Sequence, residues 1–272
     1  MKTVNSISGG KTSSYLAKHY SADYNLFSLV RIEDVKCTPK DKKVVQLVSD
    51  KIGMEFIATA EDDRTLKVVL DLEQYIGKEI KWVTGETYEQ IIRNSSGYLP
   101  NQASRFCTSE MKIKPIAEYC RNVIGEIVKT RLGIRYDEQN RVNYTNTDFK
   151  FHIANNSFGQ KRRVFSIEKY RELDYPLIDD KIMHHRIYLW SLSTNIIFPE
   201  DSNCVGCFHK PVMQLRKNWD NNTQKMKWFA DQETGRKKFK KEMKYETIKK
   251  IGLQTDFIFG GGSGCNSGGC HD

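Results

Sequence analysis

The sequence predicts an α/β protein whose Rossmann-like, mostly parallel sheet carries helices on both faces. Two observations lead there. In the first half of the 272-residue chain, short β-branched and aromatic runs alternate with stretches of helical spacing, the order that parallel strands with crossover helices produce. A glycine-bearing turn, Ser8-Gly9-Gly10-Lys11-Thr12, also stands between the first strand-like run and the first helical stretch, where open α/β sheets bind ligands.

In order, KTVNSI at 2–7 reads as a short strand, TSSYLAKHY at 12–20 as a helix, and NLFSLVRI at 25–32 as a buried strand. Pro39 is expected to open a helix that Gly53 stops. EFIATA at 55–60 reads as another strand, and 64–77 has helical spacing with a terminal glycine. EIVKTRLGIR at 126–135 reads as a later strand, with Arg135 at its end, and 179–190 as an amphipathic helix containing His184 and His185. From about residue 190 the pattern changes. A loop runs through the CVGC of Cys204 and Cys207, lysine-rich helical stretches follow from 211 to 251, and a glycine-rich tail contains Cys265 and Cys270. The expected organisation is a nucleotide-binding domain at 1–190 and a cysteine- and lysine-rich extension at 191–272 that packs on its site.

Composition bounds the function. No apolar run approaches the roughly 20 residues that span a bilayer, and the opening MKTVNSISGG lacks a secretory apolar block. The cytoplasm is the expected compartment, without a membrane partner. A net charge of +9 suits a nucleic acid or a nucleotide-like anion, and equally a lysine-rich surface that only keeps the chain in solution. Seven cysteines are an odd number, which argues against a closed disulfide framework and for metal or redox chemistry.

The turn at 8–14 ends like a Walker phosphate loop, but that pattern needs glycine where Asn5 stands. A strand, a glycine pair and a helix start still make an anion cradle, because main-chain amides point at the ligand there. An ordinary strand–turn–helix corner would have the same outline. The run Ser8-Gly9-Gly10-Lys11-Thr12-Ser13 resembles the S-G-G-x-[DT]-S signature of PP-loop ATP pyrophosphatases, in the group related to phosphoadenosine phosphosulfate (PAPS) reductase, with Thr12 at the position usually held by aspartate. Arg105, Cys107, Thr108, Lys112 and Pro115 are similar to that group's R-x-C-T-x-x-x-K-x-x-P block. Gly133, Arg135, Glu138 and Arg141 are similar to its G-x-R-x-x-E-x-x-R block.

The resemblance implies an adenine nucleotide alpha hydrolase-like fold that binds ATP with Mg²⁺ through Ser8, Gly9, Gly10, Lys11, Thr12, Ser13, Arg105, Arg135, Glu138 and Arg141. Lys11, Arg135 and Cys107 are the expected catalytic residues. Arg135 is placed to fork onto a phosphate or sulfate, and Glu138 to orient it or to hold magnesium. Arg105 and Lys112 are expected to lower the pKa of Cys107. Glu33 and Asp34 stand where the family approaches the ribose.

Four thiolates satisfy zinc or an iron–sulfur cluster. The resemblance favours a [4Fe–4S] cluster on Cys107, Cys204, Cys207 and Cys270. Zinc, or Cys265 and Cys270 as a mobile redox pair, stay open. Three functions follow. The first is ATP cleavage between the α and β phosphates to adenylate an acceptor, for sulfur transfer to a nucleic acid (tRNA or DNA) or nucleotide-like substrate. The second is reduction of PAPS or adenylyl sulfate, and the third is a non-catalytic nucleotide-binding module. A sulfur or electron donor is an expected partner, and a homodimer is left open.

Overall fold

In the computed structural model, residues 1–156 and 162–252 are described. The chain opens with strand β1 (Thr3–Ile7), helix α1 (Lys11–His19) and strand β2 (Tyr24–Leu29), close to the expected boundaries. It then leaves the sheet. Strands β3 (Arg31–Ile32) and β4 (Ala58–Thr59) pair antiparallel as a separate ribbon. The strand expected at 25–32 is therefore divided at Val30, and the one expected at 55–60 contributes two residues. The side chains explain the divide. The Thr59 hydroxyl donates to the Val30 carbonyl, and Arg31 reaches Thr84 Oγ1 at 2.8 Å and the Gly85 carbonyl at 2.7 Å.

Helix α2 (Lys42–Ile52) begins three residues after Pro39, because Asp41 caps it by accepting from the amides of Lys43 and Val44. Helix α3 (Asp63–Ile76) is capped by Asp62. Both stop at glycines in the left-handed region, Gly53 and Gly77, as helix ends favour. Strand β5 (Ile80–Thr84) follows, then α4 (Tyr88–Asn94). A helical run contains α5 (Phe106–Thr108) and α6 (Lys114–Tyr119), with π turns at Ser109–Ile113 and Cys120–Ile124. Strand β6 (Val128–Arg131) leads into a 3₁₀ segment, Tyr136–Tyr144. Strands β7 (Asp148–Asn156) and β8 (Arg162–Lys169) form an antiparallel pair, and β9 (Arg171–Asp174) returns to the sheet. Helices α7 (Pro176–Asp179), α8 (His184–Leu192), α9 (Val212–Asn221), α10 (Thr223–Gln232) and α11 (Tyr245–Lys249) complete the described chain.

The central sheet has the order β5-β2-β1-β6-β9, and all its pairings are parallel. From β1 the chain builds outward to β2 and β5, then crosses back to β6 and β9. The order therefore reverses between β1 and β6, and a crevice opens there at the strands' carboxyl ends. Ile7, Phe27 and Leu29 pack against α2 and α3 on one face, while Val4 and Leu26 meet Ile116, Ala117 and Ile124 on the other. Helices thus cover both faces, as predicted.

The segments after 200 share a core with the first half. Val205, Phe208, Trp219, Phe229, Phe239 and Tyr245 are buried together with Val30, Ala60, Tyr88 and Ile91. Each such side chain withdraws apolar surface worth about 1.5–3 kcal/mol. Among the described residues no helix is long and apolar enough to cross a membrane.

Candidate functional site

The crevice between β1 and β6 is a cleft of about 200 Å³. Gly9 follows β1 in the left-handed region at φ +71°, and a Cβ there would stand 2.6 Å from Thr65 Cγ2 of α3. Gly10 caps α1, and a Cβ on it would reach 2.8 Å from Ser202 Oγ. The turn is knitted by hydroxyls. Ser13 Oγ accepts from the Ser8 amide at 3.1 Å, contacts Ser8 Oγ at 3.1 Å and bonds the Gly10 carbonyl at 3.2 Å. Lys11 opens α1 with its ammonium 5.3 Å from the centre of the Tyr188 ring. A cation is disfavoured at a helix N-terminus by the macrodipole, so local helix stability does not account for lysine here. An anion bound at the turn would.

The loop after β6 meets this turn. Strand β6 stops at Arg131, so Arg135 lies in the loop four residues beyond and not at the strand's end as predicted. Its Nη1 donates to Thr12 Oγ1 at 3.3 Å, and a Cβ on Gly133 would touch Thr12 Cγ2 at 3.3 Å. Arg135 is held by Asp137 at 3.2 Å and by Glu138 at 2.8 Å, while the other Glu138 oxygen holds Arg141 at 3.1 Å. Glu138 thus orients two arginines, one of the two roles the sequence suggested.

Ser8, Gly10, Lys11, Thr12 and Ser13 line the cleft, as do Arg105, Arg135, Glu138 and Arg141. Gly9 stands behind the turn, packed on α3. Five cations (Lys11, Arg105, Lys112, Arg135 and Arg141) face it, with Glu138, Glu200 and Asp201 as its carboxylates. Those three are already engaged: Glu138 by the arginines, Asp201 by Lys210 at 2.9 Å and Glu200 by Lys217 at 2.5 Å. Cations outnumber carboxylates on its wall, although Lys112, Arg135 and Arg141 are themselves paired with Glu61, Asp137 and Glu138, and a wall of that composition suits an anion. Glu33 and Asp34 do not line it. Glu33 accepts from the Thr87 hydroxyl and Asp34 caps the 3₁₀ turn Val35–Cys37.

Cys107, Cys204 and Cys207 line the same cleft, although about a hundred residues separate the first from the pair. The CVGC segment is fixed through its backbone. Val205 N donates to Ala60 O, Asn218 to Val205 O and the Tyr245 hydroxyl to Gly206 O. Gly206 allows this, because a Cβ would enter the Phe229 ring. Burial pushes the Cys107 thiol up to about 11, and it raises Cys204 and Cys207 as well. The expectation of a lowered Cys107 pKa is therefore corrected: desolvation outweighs Lys112, the cation that opposes it.

The three thiols suit a soft metal in kind. Among the described residues, however, no three His, Cys, Asp or Glu side chains are grouped so as to hold a metal ion. Cys265 and Cys270, the candidates for a further ligand, lie outside the described residues. His184 and His209 line the cleft, whereas His185 does not.

Sequence reasoning missed the strap 199–203, whose Ser202 covers Gly10, and the buried Glu61, which pairs with Lys112 at 3.2 Å. The polar run PEDSN before CVGC was a signal for the strap. For Glu61, which opens the acidic run Glu61-Asp62-Asp63 after Ala60, no motif existed. No family model matches the chain, and no curated protein matches it.

Proposed function

We propose that the protein is a PP-loop ATP pyrophosphatase of the group related to PAPS reductase. An acceptor oxygen attacks the α phosphorus of ATP, and pyrophosphate leaves with the electron pair of the α–β bridging bond. One observation carries this reading: the turn after β1 and the loop after β6 meet at the reversal of strand order, through Thr12 and Arg135. Amides and hydroxyls of 8–13 would grip the leaving phosphates. Lys11 and Arg135 would neutralise charge that grows on them in the transition state. Glu138 keeps Arg135 and Arg141 aimed, and Mg²⁺ arriving with the nucleotide would share the neutralisation.

The acceptor is proposed to be a nucleic acid that receives sulfur. Cys107, Cys204 and Cys207, with Cys270, would hold an iron–sulfur cluster, which when bound would supply or bind that sulfur; zinc is the alternative metal. The contribution of Cys107, Cys204 and Cys207 would be three thiols on the wall of the cleft that takes the nucleotide.

The test is incubation with [α-³²P]ATP, Mg²⁺ and an RNA pool, followed by chromatography. AMP and pyrophosphate are expected. ADP as the product would contradict α–β cleavage, sulfite release from PAPS would establish the reductase, and binding without turnover would leave a nucleotide-binding module.

A further inference from the structure

We infer that a basic face beside the cysteine side of the cleft, built from Arg93, Tyr98, Arg236, Lys237, Lys238 and Lys241, docks RNA that presents unpaired nucleotides. The face joins two segments distant in sequence. Gly97, in the left-handed region at φ +74°, turns the chain after α4, and a Cβ on it would stand 2.5 Å from Lys237 Nζ. The loop 235–241 therefore sits against the turn that presents Tyr98.

Both segments are anchored. Phe239 is fully buried, and Glu233 accepts from the amides of Phe239 and Tyr245. Lys240 points inward and donates to the carbonyls of Phe208 and Lys210, next to CVGC. Leu99 is buried just after Tyr98, and the chain then reaches Arg105 and Cys107 in the cleft. The two segments that carry the face are thus tied to segments that line the cleft, through Lys240 to Phe208 and along the chain to Arg105 and Cys107.

Its chemistry is that of a polyanion dock with a stacking ring. Arg93, Arg236, Lys237, Lys238 and Lys241 are exposed and make no salt bridge among the described residues. Tyr98 is 71% exposed and follows Gly97, against which Lys237 lies. An exposed aromatic beside lysines without salt bridges suits bases that stack while phosphates meet the ammonium groups. Folded RNAs display unpaired loops on their stems. This inference rests on the proposal that the acceptor is a nucleic acid.

The test is fluorescence anisotropy of the full-length protein with a labelled RNA hairpin, over a series of KCl concentrations. Four or five phosphate contacts predict a slope of log K against log[salt] of about −3, at about 0.7 per contact. K237A/K238A/K241A should reduce the slope by about 2, at an unchanged melting temperature. Tyr98→Ala should weaken binding about tenfold and leave the slope in place. An unchanged slope in the triple variant, or equal affinity for duplex DNA of the same length, would overturn the inference; so would binding only to an acidic protein. ATP binding, measured on the same preparations without RNA, separates the two claims: its absence sinks the proposed function, whatever the RNA result.

Discussion

Arg135 Nη1 donates to Thr12 Oγ1 across 3.3 Å, and this bond joins the loops that leave β1 and β6. Thr12 stands in the first turn of α1, so the bond ties the arginine to the start of the helix. Removing it leaves Glu138 paired with Arg141 alone. Arg135→Ala should lower ATP turnover at least a hundredfold, on the scale of a lost transition-state donor. The accompanying stability cost should be about 1–3 kcal/mol. Single-turnover rates and denaturant midpoints read the two effects separately.

Gly9 is required twice, by its left-handed φ and by Thr65 Cγ2, which would stand 2.6 Å from an added Cβ. Gly9→Ala should destabilise the protein by about 2 kcal/mol or more and abolish ATP binding. Thr65→Ser removes the opposing methyl. The double variant should recover part of the stability, while the backbone strain remains. No recovery would mean that strain alone limits the site.

How much of this was legible follows from where information sits in a chain. The turn at 8–13 was readable because glycine, hydroxyl and strand–helix context are local, and so were the stops at Gly53 and Gly77. β9, with the sequence Arg-Glu-Leu-Asp, carries no apolar signature. It is a strand because it pairs with β6, and its Arg171 is buried by donating to the Asn146 carbonyl beneath the Tyr170 ring. That Cys107 shares a cleft with Cys204 and Cys207 was legible only through the cysteine count and the motif resemblance, while a grouping that could hold a metal is absent among the described residues. The burial that raises the Cys107 and Cys204 pKa values comes with the core they pack against, which contains Phe208, Phe229 and Tyr88 and which spacing does not encode.

Asp201 and Lys210 form a buried ion pair at 2.9 Å, with side chains 8% and 5% exposed. It fastens the strap whose Ser202 covers Gly10. Asp201→Asn leaves a buried ammonium uncompensated and should cost about 3–5 kcal/mol. The double variant D201N/K210M should be less destabilised than the single one. Thermal unfolding of the three variants checks this, and equal losses would show that the pair is not coupled.

Gly206 presses on the Phe229 ring. Gly206→Ala should overpack that core by about 1–3 kcal/mol and displace the CVGC segment. Metal content should fall in the same variant, measured by iron, sulfide and zinc assays after anaerobic purification. Full metal occupancy in a destabilised variant would detach the metal from this segment.

The central claim is that the turn after β1 and the loop after β6 together bind the phosphates of ATP. Calorimetric titration of ATP·Mg²⁺ into the wild-type protein and into Arg135→Ala tests it most directly. Saturable one-site binding that weakens at least tenfold in the variant is the predicted result. Equal affinity in the two proteins, or no binding to the wild type, would contradict it.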